Sequence, residues 1–433
     1  MSAMYISRRD FMKATAFAAG TVTVGDSASS SVLGANDRIN LAVIGCGHHG
    51  TGWVEAIVGR RESWNFRIVA VCDVYRKRVT RAKALCQGEA EGYFDYRKVL
   101  ERKDVDAVMV VTPDHWHAKM AIDALEAGKH VHLEKPMSRT VEQALAVRDA
   151  ARRSPQILNV GADYASQDQF WEAREAIQAG RIGKVIWAQA SFNRNARICA
   201  FNDEPFIPDP AASPRAAGEN YIDWDMWLGH QWGLAPKIPW NPEHFFRFRK
   251  YWAYSGGVAT DLMYHKLAPL LLAIAGPDGE YPLRVSSSGG LYVEKDGREI
   301  PDTHIMTIDY PGEHTILLVS TLCNDTQLVD RIYGKYGTLD LDVERNGDPV
   351  LRANGDFSPE FEKANHGYKE VTIPHGPRDT ELANTLAAIR GHATVHCNAN
   401  LGAATMVAIK MGVESYRQRK TLSWDQQNER VVS

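Results

Sequence analysis

Two short segments of this chain contain residues whose types and spacing could do chemistry, and the first has the G-x-G-x-x-G spacing of a nucleotide-binding turn. It reads Gly45-Cys46-Gly47-His48-His49-Gly50. In such a turn Gly45 permits the sharp bend, Gly47 lets the backbone approach a pyrophosphate, and Gly50 permits close packing of helix on strand. The following helix begins near His48 and His49 and offers free N–H groups to the phosphates. The segment therefore predicts a dinucleotide site.

A carboxylate at the end of the next apolar run decides which dinucleotide is expected. Asp73 follows the run Arg67–Cys72, at a point where a carboxylate accepts hydrogen bonds from the adenosine ribose and repels a 2′-phosphate. The cations Arg76, Lys77 and Arg78 follow closely and could accommodate that phosphate. We expect NAD as the cofactor, with NADP as the less favoured alternative.

The second segment, Glu134-Lys135-Pro136, directly follows the apolar run His130–Leu133. The carboxyl ends of parallel strands form the ligand crevice of a doubly wound sheet, so Lys135 is expected beside the nicotinamide. Oxidising an alcohol requires a base that takes the hydroxyl proton while the hydride leaves, and a lysine does so when its surroundings favour the neutral amine. A structural lysine at a strand end is the alternative.

Alternating strands and helices in the first part of the chain must position these residues. Short β-branched runs bounded by turn residues or charge are typical of buried parallel strands. Such runs are found at Ile39–Ile44, Arg67–Cys72, Ala107–Val111 and His130–Leu133. Helical stretches lie between them, and the capping box Thr140-Val141-Glu142-Gln143 opens the next one. The pattern predicts an α/β fold with an N-terminal doubly wound parallel sheet, a Rossmann domain.

The pattern changes after residue 155, where longer alternating strands indicate a C-terminal α/β domain with a large, mainly antiparallel open sheet. The expected strands are Val185–Asn193, Leu283–Val293, His304–Tyr310 and Thr315–Leu322. Helices near 378–390 and 401–418 close the chain and could pack back on the first domain. We therefore predict a signal at 1–35, an NAD-binding domain at 36–155 and a substrate-binding and oligomerisation domain at 156–433.

The composition excludes several classes of protein. The 433 residues are 44% apolar and 24% charged, as in a globular protein of two domains. No basic stripe is present, so we expect no nucleic-acid partner. The six cysteines form no C-x-x-C pair and are expected as buried thiols. His115-Trp116-His117 falls in a turn of the nucleotide domain and His132-Leu133-Glu134 has no P-C-x-x-C partner, so no metal is predicted.

The first residues have the features of an export signal. Ser7-Arg8-Arg9-Asp10-Phe11-Met12-Lys13 combines two arginines with an aromatic residue and a lysine, and a small-residue apolar stretch runs from Ala14 to Val24. This pattern is typical of a twin-arginine signal. The stretch is shorter than the ~20 apolar residues that span a bilayer. We therefore expect cleavage near Ala35, no membrane association afterwards, and a periplasmic or otherwise exported protein.

The chain resembles the glucose–fructose oxidoreductase / inositol dehydrogenase (Gfo/Idh/MocA) family between residues 38 and 340. The matching residues are those of the glycine turn, Asp73, Thr112-Pro113, His117, Glu134-Lys135-Pro136, Gly180-x-Ile182-Gly183 and Gly256–His265. The resemblance implies an NAD(P)-dependent oxidoreductase whose C-terminal open sheet mediates a homo-oligomer. It also implies cofactor contacts from Thr112, Pro113, His117, Glu134 and Lys135.

The same resemblance implies that Lys135, Asp261 and His265 line the substrate site. Asp261 and His265 are spaced i, i+4 and would project from one face of a helix. His265 is then the acid/base partner at the reacting hydroxyl, and Asp261 orients the substrate or the imidazole. Many relatives carry an arginine where this chain has Ala162-Asp163-Tyr164. Tyr164 is therefore a candidate pocket residue.

The stretch from 193 to 255 is unusually rich in aromatic residues and poor in regular elements. Trp252 and Tyr254 belong to it and could stack on the C–H faces of a sugar. Equally, these rings could pack the inserted loop, and the sequence leaves both interpretations open.

Two reaction classes also remain open. The first is hydride transfer at a carbinol carbon of a sugar or sugar derivative, with NAD held tightly because no free NAD pool exists outside the cytoplasm. The second is an NAD-dependent glycoside hydrolase that oxidises a ring hydroxyl, eliminates the glycosidic group, adds water and reduces the ketone again. Tyr264 or Tyr164 would supply its additional base. A non-catalytic sugar-binding protein is a third class, and the presence of Lys135, Asp261 and His265 together argues against it.

Overall fold

The computed structural model describes residues 37–204, 206–341 and 347–432. The chain divides into two units, Met1–Arg38 and Ile39–Ser433. The twin-arginine pattern and the rest of the predicted signal lie outside the described residues, so export stays a prediction. No helix within the described ranges is long and apolar enough to cross a bilayer.

Six parallel strands form the sheet that carries the glycine turn. They are β1 Ile39–Ile44, β2 Phe66–Cys72, β3 Glu91–Tyr93, β4 Ala107–Val110, β5 His130–Glu134 and β6 Leu158–Gly161. Their spatial order is β3-β2-β1-β4-β5-β6, and each neighbouring pair is parallel. This is the strand order of a dinucleotide-binding Rossmann sheet, with the ligand crevice at the carboxyl ends of β1 and β4. The predicted fold class is confirmed for this part of the chain.

Helices connect these strands and cover both faces of the sheet. They are α1 His48–Val58, α2 Arg76–Leu85, α3 Tyr96–Leu100, α4 Asp114–Glu126 and α5 Val141–Arg153. The inner strands β1 and β4 are apolar and buried apart from Asn40 of β1, as expected where helices cover both faces of the sheet. The start of α5 follows the predicted capping box, since the Thr140 side chain accepts a hydrogen bond from the N–H of Gln143.

A ten-stranded sheet occupies the second part of the chain. Its strands are β7 Val185–Ser191, β8 Arg284–Gly290, β9 Thr303–Tyr310, β10 His314–Thr321, β11 Asp330–Gly334, β12 Gly337–Leu341, β13 Val350–Ala353, β14 Glu370–Thr372, β15 Leu422–Asp425 and β16 Arg430–Val432. Their order is β14-β13-β12-β11-β7-β10-β9-β8-β15-β16. The pair β7–β10 is parallel and the other pairs are antiparallel. The mainly antiparallel sheet predicted here is confirmed.

One face of this second sheet is buried and the other is partly exposed. Buried residues alternate with exposed or half-exposed ones along β9 and β10. The remaining helices are α6 Asp168–Gln178, α7 Trp224–Leu228, α8 Pro242–Phe246, α9 Tyr264–Ile274, α10 Ser358–Ala364, α11 Glu381–Ile389 and α12 Ala399–Gln418. Helices α9 and α12 pack against the buried face. The resemblance implies an oligomer contact through this open sheet, and that contact stays a prediction.

Helix α11 packs on the parallel sheet although it lies near the end of the chain. Leu382 and Leu386 are buried in one apolar cluster with Val43 of β1 and Met109 of β4. Arg390, directly after the helix, donates hydrogen bonds to two backbone carbonyls just before β2. A C-terminal helix therefore completes the layer that covers the nucleotide-binding sheet.

Candidate active site

The dinucleotide turn joins β1 to α1 as its motif predicts. Gly45 has φ of 95°, a conformation that favours glycine, and a Cβ there would lie 2.4 Å from the carbonyl oxygen of Val111. At Gly50 a Cβ would lie 1.8 Å from the carbonyl oxygen of Gly45, so helix and strand pack too closely for a side chain. Helix α1 begins at His48 without a side-chain cap from the described residues, which leaves its first N–H groups to an anion.

Asp73 fixes this turn to the end of β2. Its Oδ2 accepts a hydrogen bond from the N–H of Cys46 at 2.8 Å, and its Oδ1 accepts one from the N–H of Tyr75 at 2.9 Å. The carboxylate is therefore held by the backbone at the place where an adenosine ribose is expected.

The three cations after Asp73 have different surroundings. Arg78 lies 3.9 Å from the Asp73 carboxylate, and its guanidinium is 3.6 Å from where a Cβ of Gly47 would stand. Lys77 instead pairs with Asp209 at 2.8 Å. Arg76 stacks on an aromatic ring of the inserted segment, away from the turn. Arg78 is thus the cation positioned beside the expected phosphates.

The turn after β4 adds a polar atom that suits a bound dinucleotide. Thr112 Oγ1 is buried and has no hydrogen-bond partner among the described residues, so a ligand hydroxyl or amide would satisfy it. Pro113 follows and occupies the N-cap position of α4. Together with the glycine cradle and Asp73, these residues fit an NAD molecule.

His117 has a different role from the cofactor contact that we expected. Its Nδ1 lies 2.6 Å from the carbonyl oxygen of Pro136, and its Nε2 lies 2.7 Å from that of Thr112. Both ring nitrogens face backbone carbonyls, which leaves neither of them for a ligand. His117 therefore positions the turns after β4 and β5 against each other.

Glu134 makes its hydrogen bonds with neighbouring groups of the protein behind the candidate site. Its Oε1 accepts a hydrogen bond from Trp53 Nε1 at 2.7 Å and lies 2.9 Å from His49 Nε2, while Oε2 accepts one from the N–H of Lys135. Burial raises the pKa of this carboxyl, but His49 and the other basic groups nearby together outweigh burial and hold the pKa well below its ordinary value. The ionised carboxylate fixes α1 against β5, so its expected contact with the cofactor is replaced by protein contacts.

Lys135 and Asp261 meet between the two sheets. Lys135 Nζ lies 3.0 Å from Oδ1 of Asp261 and donates to its backbone oxygen at 2.8 Å. Arg249 Nε approaches the same Oδ1 at 3.2 Å. Burial opposes ionisation of Asp261, but Lys135 and Arg249 outweigh it and hold the pKa of Asp261 well below its ordinary value. Asp261 therefore positions the Lys135 amine. The imidazole of His265 pairs with another carboxylate.

That second carboxylate is Asp163, for which the sequence motifs predicted no role. Its Oδ1 lies 2.6 Å from Nδ1 of His265. Desolvation opposes ionisation of Asp163, but pairing with His265 outweighs it and lowers the pKa of the carboxyl. Asp163 lies two residues past the carboxyl end of β6, and that position at the crevice edge was the signal available in the sequence.

A π-helical turn explains why Asp261 and His265 have separate partners. Residues Ala259–Met263 form this turn immediately before α9, so the regular i, i+4 projection does not apply across it. Gly257 precedes it with φ of 67°, and a Cβ there would lie 2.8 Å from the Ile300 side chain. The close approach at Gly257 and the widened turn direct Asp261 toward Lys135.

Tyr164 lies beside His265, where a pocket residue is expected. The two ring centroids are 5.8 Å apart. Phe192 stacks on Tyr164 with centroids 6.3 Å apart and meets the His265 ring edge-on at 5.7 Å. These rings form an aromatic wall next to the imidazole, and Phe192 is a member that the sequence analysis missed.

Three other aromatic candidates lie away from this wall. Tyr264 is fully buried, and its hydroxyl donates to the carbonyl oxygen of Gly402 in α12. Tyr254 is buried in the aromatic cluster of the inserted segment, with its hydroxyl 2.9 Å from His244 Nδ1. Trp252 packs against Tyr416 of α12. These side chains serve packing, so the structure contradicts Tyr264 as an additional base and supports the packing interpretation for the other two.

Comparisons with known proteins agree with the fold described above. Residues 39–162 match a family model described as an oxidoreductase family with an NAD-binding Rossmann fold, and residues 212–310 match the C-terminal alpha/beta domain of the same family. Among solved structures, levoglucosan dehydrogenase in complex with NADH and L-sorbose is 17% identical, with a TM-score of 0.65 over 90% of this chain and 100% of that one. The WlbA dehydrogenase from Bordetella pertussis, in complex with NADH and UDP-GlcNAcA, is also 17% identical, with a TM-score of 0.62 over 90% and 98%.

Curated relatives are similar over a shorter region. An alpha-N-acetylgalactosaminidase of Shewanella oneidensis is 28% identical over 227 residues, which cover 44% of this chain and 47% of the relative. A glycosyl hydrolase family 109 protein of another Shewanella is 27% identical over 220 residues, with the same coverage. The chain thus spans about half the length of the curated relatives it matches. On the two family-model matches and the Rossmann site described above, the chain belongs to the Gfo/Idh/MocA family of NAD-binding oxidoreductases.

Proposed function

We propose that this chain oxidises a carbinol carbon of a sugar or sugar derivative, with tightly bound NAD and with Lys135 and His265 as the acid/base groups. The observation that carries the proposal is that each group has its own carboxylate partner at the crevice edge. Asp261 holds Lys135, and Asp163 holds His265. Two separately oriented proton-transfer groups beside a dinucleotide turn are what alcohol oxidation requires.

Each residue then has a defined task. NAD, when bound, supplies the acceptor for the hydride that leaves the carbinol carbon. Lys135 Nζ takes the hydroxyl proton, while Arg249 keeps Asp261 ionised when the amine changes charge. Asp163 accepts the Nδ1–H of His265, which presents Nε2 to the substrate. Tyr164 and Phe192 provide apolar ring surface against which a sugar C–H face packs.

The relatives support a sugar as the substrate class. The curated relatives carry glycosidase names, and levoglucosan dehydrogenase was solved with L-sorbose. The leader pattern adds export by the twin-arginine pathway to the proposal. An exported enzyme without access to free NAD must retain its cofactor, which suggests a Kd near or below nanomolar, about −12 kcal/mol of binding free energy.

A redox-neutral glycoside hydrolase is the second candidate function, and the names of the curated relatives favour it. Oxidation of a ring hydroxyl to a ketone acidifies the neighbouring C–H. A base removes that proton, the glycosidic group leaves, water adds, and the ketone is reduced to the alcohol again. Lys135 would handle the hydroxyl proton and His265 the C–H proton or the leaving group. Tyr164 remains the tyrosine near enough to assist.

One experiment separates the two candidates. The purified protein, without added NAD, is incubated in D₂O with a panel of aryl glycosides and free sugars. Release of the aglycone without net NADH, and with deuterium next to the oxidised carbon, would establish the hydrolase. Bound NADH that forms with a free sugar and is discharged only by a second carbonyl sugar would establish the oxidoreductase. If no sugar or glycoside changes the NADH signal or releases an aglycone, both candidates are wrong.

A further inference from the structure

A buried cluster of three ligand-bearing side chains lies behind the catalytic edge of the parallel sheet. His132 and Glu134 are two residues apart on β5 and therefore project from the same face of the strand. Glu381 is the first residue of α11, which covers that face. One ligand atom from each residue lies within 4.8 Å of the other two. Their exposed fractions are 1%, 5% and 8%, so the cluster is inside the protein.

The hydrogen bonds around His132 fix its tautomer. Thr385 Oγ1 donates its single proton to the backbone oxygen of Glu381 at 2.7 Å, and it accepts a hydrogen bond from Asn159 Nδ2 at 2.8 Å. Its contact of 3.1 Å with His132 Nδ1 must therefore be an N–H donated by the histidine. An imidazole that carries its proton on Nδ1 presents a bare lone pair at Nε2.

That lone pair has nothing to bind among the described residues. His132 Nε2 is buried without a hydrogen-bond partner, and so is Oε2 of Glu381. Buried polar atoms are nearly always satisfied, and two buried carboxyl groups cannot both be ionised without a positive centre between them. Two buried acceptor atoms of the cluster, His132 Nε2 and Glu381 Oε2, thus lack a donor among the described residues, whereas Glu134 is held by donors from Trp53 and the backbone.

We propose that His132, Glu134 and Glu381 bind a divalent transition-metal ion of the zinc type. One imidazole and two carboxylates suit such an ion, and the two negative charges neutralise it in a buried site. The surroundings match those of metal ligands, which usually have a second hydrogen-bond partner. Thr385 accepts from the Nδ1–H of His132, and Trp53 donates to Glu134. The expectation of no metal rested on the lack of a P-C-x-x-C partner for His132-Leu133-Glu134, and Glu381 is too remote in the chain for a local motif to include it.

The proposed metal site lies behind the reacting groups, so a bound ion would act by stabilising the fold. It joins β5, which ends next to Lys135, to α11, which covers the nucleotide-binding sheet. A bound ion would hold the strand and helix together and thereby fix the backbone that carries Lys135. This inference does not depend on which sugar reaction the chain catalyses.

The test uses the full chain after dialysis against a chelator. It is then exposed to excess ZnCl₂ or CoCl₂, passed through a desalting column and analysed by elemental mass spectrometry. We expect about one ion per chain, with a cobalt spectrum typical of nitrogen and oxygen ligands. The midpoint of thermal unfolding should rise by about 5 °C on loading, because the ion binds only the folded state.

Matched variants locate the ion. Glu381→Gln should abolish uptake and the rise in melting temperature, whereas Glu280→Gln should keep both. Glu280 is a half-buried carboxyl that accepts a hydrogen bond from the N–H of Gly312, remote from the cluster. Because Glu381→Gln could itself fold poorly, the chelated and reloaded wild-type chain provides the independent measurement. A wild-type chain that retains no ion and melts at the same temperature with and without metal would overturn the proposal and leave a shared proton as the occupant.

Discussion

Nδ1 of His265 lies 2.6 Å from Oδ1 of Asp163, and this contact joins α9 to the carboxyl end of β6. The carboxylate thereby comes from the nucleotide-binding sheet and the imidazole from the part of the chain that carries the second sheet. A carboxylate that accepts the Nδ1–H holds the ring in one tautomer and stabilises its positive charge. The imidazole is therefore oriented by a residue just past the sheet that holds the cofactor turn.

Replacing Asp163 by Asn should remove the negative charge of this pair while keeping its hydrogen-bonding geometry. The amide oxygen still accepts a hydrogen bond, but the negative charge that stabilises an imidazolium is lost. We expect kcat to fall by about 10- to 100-fold, with the content of bound NAD unchanged. Steady-state kinetics and the NAD content of the purified variant measure both quantities. Asp168→Asn is the control, because Asp168 is also a paired aspartate, but its partner is Arg378 and not His265.

Removing the Lys135 amine should stop proton transfer without removing the cofactor. For Lys135→Met we expect kcat to fall by about 1,000-fold, in the range typical of a lost general base. Asp261 would keep its pairing with Arg249, so the site should remain folded. Bound NAD and circular dichroism are the controls for folding. Full turnover in this variant would remove Lys135 from the proposed reaction.

Two glycines of α1 make a matched pair for the cofactor turn. A Cβ at Gly50 would lie 1.8 Å from a backbone oxygen, whereas a Cβ at Gly52 would have no atom within 4 Å. Gly50→Ala should therefore abolish NAD binding and lower the free energy of unfolding. Gly52→Ala should keep NAD and raise stability by up to about 1 kcal/mol, because alanine favours a helix. Equal NAD retention in both variants would contradict the packing described for the turn.

Tyr264 and Tyr164 should respond differently to loss of the hydroxyl group. Tyr264→Phe removes a buried hydrogen bond to Gly402 and should cost about 1 kcal/mol of stability while kcat stays within twofold. Tyr164→Phe removes a hydroxyl next to His265 but keeps the ring, so turnover should fall in this variant if the chain is a glycoside hydrolase, in which that hydroxyl assists. Chemical denaturation and kinetics on both variants test this contrast. A tenfold loss of kcat in Tyr264→Phe, with the fold intact, would return Tyr264 to the site.

Acid should destabilise the chain through its buried histidines, and His304 in β9 allows the sign of this pH dependence to be tested. Burial lowers the pKa of His304 to about 4, against about 6.5 for an unfolded histidine. The unfolded state therefore binds more protons below pH 6.5, and stability is lost as the pH falls toward 4. Between pH 7 and pH 5 this residue should account for roughly 2 kcal/mol of lost stability. Urea unfolding at both pH values should show a smaller loss for His304→Gln and an unchanged loss for the exposed His392→Gln.

The parts of the site that depend on local sequence were predictable. The glycine turn, the apolar strands and the position of Lys135 follow from patterns within about 30 residues, the span of one βαβ unit. The pairing of His265 with Asp163 joins residues far apart in the chain, so no local pattern contains it. The same holds for Glu381, which reaches β5 only because α11 packs back on the sheet.

The direction in which a side chain points was harder to predict than the position of its residue in the fold. Asp261 and His265 were assigned to one helical face, but the π-helical turn Ala259–Met263 sends them to different partners. Tyr264, directly before His265, consequently points into the core. Sequence periodicity locates a helix well but does not reveal one widened turn within it, which decides which neighbours reach the crevice.

The packing of α11 on the parallel sheet has a consequence for the order in which the chain folds during translation. Residues 36–155 have left the ribosome long before Leu382 and Leu386 are synthesised, so the nascent sheet exposes the apolar surface that these leucines later cover. A fragment that ends before residue 381 should accordingly be prone to aggregate, and coexpression of the missing segment should rescue it. The domain that is synthesised first therefore completes its packing last.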